Sequence, residues 1–179
     1  MGVTYTNTVA RTYERIASAT VASSGTKTID ITSIPQGYTD MIAVCYTRRN
    51  APGAGARGIN MSVNGSSTTN VYAYGYIDYG QGATPSAAHG EYDYFQGGTA
   101  FDPNSYVGGY IIYFNDYTNT NFNKNMTTNQ YRWQSGTYAL NFYGNRWKNS
   151  SAINRLTINE PFEGFVAGDE VTIYGILAG

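Results

Sequence analysis

Acid–base or nucleophilic chemistry needs a titratable group held beside a partner, and this chain offers few candidates. It has one histidine, His89, and one cysteine, Cys45. A single histidine excludes a multi-histidine zinc site and leaves any nucleophile only one imidazole as base. His89 stands beside Gly90 and Glu91, surroundings that suit a surface position. A single cysteine excludes an intrachain disulfide and any CxxC metal motif. Asp78, Asp93, Asp102 and Asp116 lie in or near turn-rich stretches, where two carboxylates could flank a glycosidic bond. Aspartate is also an ordinary turn former, and no acid–acid motif links these four. Asp102, Asp116 and Glu160 offer hard oxygen ligands without the DxDxDG spacing of a calcium loop. The expectation is a non-enzymatic protein with no metal and no cofactor.

Binding residues are more plentiful. Arg48, Arg49 and Arg57 flank a stretch of Gly, Pro and Ala, where guanidinium groups suit carboxylates or carbonyls of a partner. Tyr72, Tyr74 and Tyr76 alternate, so all three project from one face of a strand, and Tyr92, Tyr94 and Phe95 follow. Such a face is expected to contact a protein or a glycan, because tyrosine offers a large area and a polar tip at low entropy cost. Packing inside the fold is the competing use of the same face. Nucleic acid is not expected: the net charge is −1 and only 13% of residues are charged, so no basic field exists. No apolar run approaches 18 residues and the N-terminus lacks a secretory pattern, so neither a membrane span nor a signal peptide is expected.

The elements that must carry these residues read as strands. At 179 residues the chain suits one domain, residues 13–179, preceded by an extended N-terminal arm, residues 1–12. Thr4–Arg15 has a weak helical spacing but poor helix formers, and an arm running into a first strand fits better. Lys27–Ile31, Ile59–Val63, Val71–Ile77, Tyr138–Phe142 and Ile153–Ile158 alternate as half-buried strands. Asp40–Arg48 is apolar on both faces and reads as a central strand covered on both sides. With Tyr110–Phe114 and Glu170–Leu177 it is expected to form the core, with Cys45 buried. Ile34–Gly37 and Asn64-Gly65 are turns. Gly80–Ser105 is too long for a simple loop and should hold one or two short strands. Asn115–Asn129 reads as a polar segment. The fold class is all-β, an antiparallel two-sheet β-sandwich.

Tyr13-Glu14-Arg15-Ile16 and Ser33-Ile34-Pro35-Gln36-Gly37-Tyr38-Thr39-Asp40 resemble the "YELI" and "SIPQTYTDL" of a recurring module of tailed-bacteriophage virion proteins. Asn64-Gly65 with Tyr72 downstream, then Arg146–Leu156 (RWKNSSAINRL), Phe165–Asp169 (FVAGD) and Tyr174-Gly175-Ile176 follow in the module's order. The match runs from about residue 13 to residue 176, with departures at Gly80–Ser105 and Asn115–Asn129. The resemblance implies a jelly-roll-like sandwich without catalytic residues. It further implies a structural or adhesive part of a virion; one domain with no fibre shaft, an N-terminal arm able to clasp a neighbour and low charge favour a decoration (cement) protein on the outer capsid surface. The expected partners are the major capsid protein and further copies of itself in a homotrimer. The alternatives are a tail- or head-fibre tip that binds host-surface glycans and, more remotely, a glycan-cleaving tailspike fragment.

Overall fold

Side-chain alternation decides the architecture. The computed structural model describes residues 13–51, 57–68, 71–80, 86–100, 108–134 and 137–177, and every regular element in it is a β-strand. In chain order these are β1 (Tyr13–Thr20), β2 (Thr28–Ile31), β3 (Asp40–Tyr46), β4 (Arg57–Val63), β5 (Tyr72–Gly80) and β6 (Ser86–Tyr92). They continue with β7 (Phe95–Ala100), β8 (Gly108–Phe114), β9 (Lys124–Gln134), β10 (Thr137–Trp147), β11 (Leu156–Asn159) and β12 (Glu170–Ile176). The expected arm, residues 1–12, and most of the loop between Arg49 and Arg57 lie outside the described residues.

Two antiparallel sheets result, ordered β1-β12-β3-β8-β9-β10-β5-β6 and β2-β11-β4-β7. Their pairing is nested: β1 joins β12, β2 joins β11, β3 joins β8 and β4 joins β7. Pairing first with last in this way is the wrap of a jelly roll, so the sandwich expected from the sequence is present. The other four strands are additions. The β5–β6 hairpin lies between β4 and β7 in sequence, and the β9–β10 hairpin lies between β8 and β11. Both hairpins join the large sheet beyond β8, where β10 pairs with β5. Gly80–Ser105 thus supplies β6 and β7, as expected.

The core lies between the jelly-roll halves. Met41, Ala43 and Cys45 of β3, Ile112 and Phe114 of β8, and Val171 and Ile173 of β12 face Ile29, Met61, Val63, Leu156 and Ile158 of the small sheet. Each of the larger aliphatic side chains contributes about 1.5–3 kcal/mol by leaving water. The three strands expected to form the core are adjacent neighbours. One expectation is corrected: β3 is central but covered on one side only, because Ile42 and Val44 are half-buried and Tyr46 is 63% exposed. A second correction concerns Asn115–Asn129, whose latter half begins a strand. There Lys124, Met126 and Thr128 point inward and Asn125, Thr127 and Asn129 outward. Alternation of polar residues with polar residues left no hydrophobic period to read.

Three local devices fix the chain's path. Gly175 has Tyr38 lying on it, so a Cβ there would fall 2.4 Å from the ring. The same Tyr38 hydroxyl donates to Glu14 Oε2 at 2.6 Å, tying the loop before β3 to β1. At the Ile34–Gly37 bend the left-handed residue is Ser33 (φ 57°), and Gly37 is not left-handed. Asn64-Gly65 has φ 52° and 68°, the two positive values of a type I′ turn. The Asn64 side chain donates to Ala152 O (2.7 Å) and accepts from Asn154 N–H (2.9 Å) and Arg155 N–H (3.2 Å), pinning the approach to β11. Replacing Asn64 by Ala removes these bonds and leaves a poor left-handed former. Denaturant unfolding should show a loss of about 2–4 kcal/mol with an unchanged m-value.

Candidate binding face

The large sheet has eight strands and the small sheet four, so the two faces of the added strands meet different surroundings. Registers across β8, β9, β10 and β5 assign the faces row by row. Gln130 stands opposite Tyr110 and Asn141; Thr128 opposite Ile112 and Tyr143; Tyr76 opposite Tyr143; Tyr72 opposite Trp147. All of these point inward. The outward rows carry Thr172, Val44, Ile111, Asn129, Phe142 and Ile77, then Tyr131, Leu140 and Tyr79 beside Gly109.

The tyrosine alternation in β5 is therefore correct and its direction is reversed. Tyr72 is 0% exposed, so it makes no contact outside its own chain. Val63 N–H donates to its phenol oxygen at 2.9 Å, and the phenol lies 3.3 Å from Ser66 O, a bond that joins β5 to the small sheet. Burial pushes the Tyr72 phenol up to about 12. Tyr76 shares the inner face, its ring centroid 5.7 Å from that of Tyr143. The side chains of Tyr74 and Arg57 lie outside the described residues. Tyr92 is partly exposed at the β6 edge, 5.4 Å from Tyr94.

Arg48 and Arg49 are engaged by carboxylates of their own chain. Arg48 donates through Nε to Asp169 Oδ1 (2.8 Å) and through its backbone N–H to Oδ2 (2.7 Å), and Val166 N–H completes the cap (3.1 Å). Arg49, almost fully buried, meets Glu163 Oε2 at 2.5 Å. The FVAGD turn is thus a carboxylate cap, with Gly168 at φ 86°. Arg155 holds Asp30 through two 2.8 Å bonds and keeps its carboxyl below the usual aspartate range.

Candidate chemistry is dispersed. Asp78 is on the inner face of β5, Asp93 in the β6–β7 turn and Asp116 after β8; Asp102 lies outside the described residues. Among the described residues no three His, Cys, Asp or Glu side chains converge. Cys45 is fully buried, and burial pushes its thiol far above the usual cysteine range, so no thiolate forms near neutral pH.

Aromatic exposure collects instead on the outer face of the large sheet. Tyr46, Ile77, Tyr79, Tyr131, Leu140 and Phe142 are each at least 40% exposed. Three adjoining depressions cross this face. The first, about 400 Å³, lies among Val44, Tyr46, Ile111, Leu140 and Phe142; the second, about 550 Å³, among Gly75, Ile77, Thr127, Asn129 and Gly144. The third, about 470 Å³, reaches Ala73, His89, Glu91, Asn125 and Arg146. Neighbouring depressions share Asn129 and Phe142, then Thr127 and Gly144, so they run together as one shallow, open trough. Its walls offer rings for stacking and amides for hydrogen bonding. Sequence reasoning missed this face. Its only signal was the second apolar side of Asp40–Arg48, read as a buried side. No protein-family model, curated protein or solved structure matches this chain.

The carboxylate cap makes a measurable distinction. Asp169→Ala removes the acceptor for three donors, two of them backbone amides, and should cost about 2–4 kcal/mol. Arg48→Ala leaves both amides on the carboxylate and should cost about 1 kcal/mol. Paired chemical denaturation curves rank the two; an equal cost would mean that the ion pair, not the cap, holds the turn.

Proposed function

We propose that this chain is a structural protein of a tailed-phage virion, fixed to the outer shell as a decoration protein. The ordered similarity of its motifs to phage virion modules over residues 13–176 supports the reading, as does the nested jelly-roll pairing, an architecture common in capsid proteins. The observation that carries it is the edge at β1. This strand ends the sheet order among the described residues, and residues 1–12 enter directly at it. Tyr13 and Leu177 stand beside one another's strands there, each more than half exposed. A segment entering at a sheet edge can pass to a neighbouring subunit and add a strand or lie in its groove. The arm in this reading clasps the major capsid protein or another copy in a homotrimer, and the large sheet's outer face stays free.

A fibre-tip location is the second reading, favoured by the breadth of that aromatic outer face. Electron imaging of whole particles separates the two: hundreds of copies over the shell mean decoration, a few at the tail mean a tip. The clasp itself is tested by deleting Met1–Thr12 and co-sedimenting the protein with shells that lack it. The deletion should keep the β-sheet circular dichroism spectrum and lose most shell binding; undiminished binding would overturn the clasp.

A further inference from the structure

Two glycines on the outer face have no role in packing among the described residues. Gly75 and Gly144 stand opposite each other on β5 and β10, in the interior of long strands, where glycine weakens a sheet. Neither has a left-handed backbone. A Cβ at Gly75 would meet nothing nearer than Ala88 O at 3.8 Å, and one at Gly144 nothing nearer than Gly75 O at 4.0 Å. Gly109 and Gly175 differ: Tyr46 closes over the first at 3.2 Å and Tyr38 over the second. Those two are demanded by the fold. Gly75 and Gly144 empty the floor of the trough, and a glycine that packing does not require marks a place where a ligand approaches the backbone.

The trough around that floor sets the ligand's chemistry. Asn125, Thr127 and Asn129 are successive outward positions of β9, spaced by about 7 Å along the strand, and form a spine of amides and a hydroxyl. Tyr131 and Phe142 rise beside it, 51% and 50% exposed. Among the described residues, imidazole, carboxylate and guanidinium groups line only the far end: His89, Glu91 and Arg146, with Glu91 bound to Lys148 at 2.5 Å. The trough crosses six adjacent strands, from β3 to β6, a span of about 24 Å.

We infer that this trough is a binding site for an uncharged linear polysaccharide. Sugar rings present an apolar C–H face to Tyr131 and Phe142 and hydroxyls to the amide spine, and the confinement of His89, Glu91 and Arg146 to the far end leaves an uncharged middle that matches a ligand without charge. The chain lies across the strands, and its middle rings rest on the bare backbone of Gly75 and Gly144. A protein partner of similar footprint would be met by side chains projecting at the centre, where Gly75 and Gly144 offer none. The site is carried on rigid strands rather than loops, so little order is lost when it is filled. The inference does not depend on where in the virion the chain sits.

The test is affinity electrophoresis of the intact protein through gels holding neutral polysaccharides (β-glucans, mannan, galactan), with polygalacturonate as the anionic control. At least one neutral polymer should retard the wild type, and 0.5 M salt, an added screen of about this order, should leave the retardation unchanged. The double variant Gly75→Val, Gly144→Val fills open space with a good strand former, so its melting temperature should hold while retardation is lost. Phe142→Ser, a change to an exposed residue, should weaken binding about tenfold. Three outcomes overturn the inference: no neutral polymer retards the protein, only polygalacturonate does so, or the glycine variant binds like the wild type. Retention of shell co-sedimentation by the glycine variant separates this site from the arm, because failure of either experiment leaves the other's result intact.

Discussion

Four strands cannot cover eight. At about 4.8 Å per strand, the small sheet is roughly 14 Å across and the large one roughly 34 Å. The jelly-roll half, β1-β12-β3-β8, is backed by the small sheet and has an aliphatic inner face. The added half, β9-β10-β5-β6, extends beyond it. Its inner face accordingly changes chemistry to Thr128, Gln130, Asn141, Tyr143 and Asn145, all buried. Strand β7 reaches across this region, where Asn145 Nδ2 donates to Gln96 O at 3.0 Å. Aliphatic side chains in these rows would need an apolar cover, whereas amides and phenols find some polar partners among themselves, as where Asn141 Nδ2 donates to the Tyr143 phenol at 3.3 Å. The outer face of the same strands is thereby left as the broad open surface of the molecule.

Charge is used sparingly and mostly inward. Lys124, almost fully buried, donates through its ammonium to the carbonyls of Asn119, Phe122 and Ser150, gathering two loops at one end of β9. Burial lowers its pKa. Glu160, fully buried, accepts from Glu163 N–H (2.8 Å) and Gly164 N–H (2.5 Å), and so shapes the loop that Arg49 braces. Gly164 is required there, since a Cβ would fall 2.5 Å from Gly25 O. With 13% charged residues, much of the charge closes loops, and the open sheet face is neutral over most of its described breadth.

Strand existence was legible wherever apolar and polar residues alternated, as in β2, β4, β5 and β12. Turn chemistry at Asn64-Gly65 and Phe165–Asp169 was legible because so few residues tolerate positive φ. What alternation does not encode is which side faces the core. Tyr72 and Tyr76 share a face by spacing, but their inward direction is set by β10, through the pairing of Tyr72 with Trp147 and Tyr76 with Tyr143. The β3 pattern shows the same gap in reverse. Val44 and Tyr46 look like a second buried side, and they are open because none of the described residues lies over the large sheet there. The arginine pairings were hidden for another reason: Arg48 and Asp169 are 121 positions apart, and no local pattern links them.

The open face depends on strand register, and a one-residue slip in β9, β10 or β5 would exchange the two faces. Hydroxyl-radical footprinting read by mass spectrometry measures this directly, since oxidation of a tyrosine follows its exposure. Tyr46, Tyr79 and Tyr131 should oxidise quickly in the native protein, and Tyr72, Tyr110 and Tyr117, all buried, should stay protected until unfolding. Oxidation of Tyr72 as fast as Tyr131 would contradict the account, because the open face and its trough would then belong to the other side of the sheet.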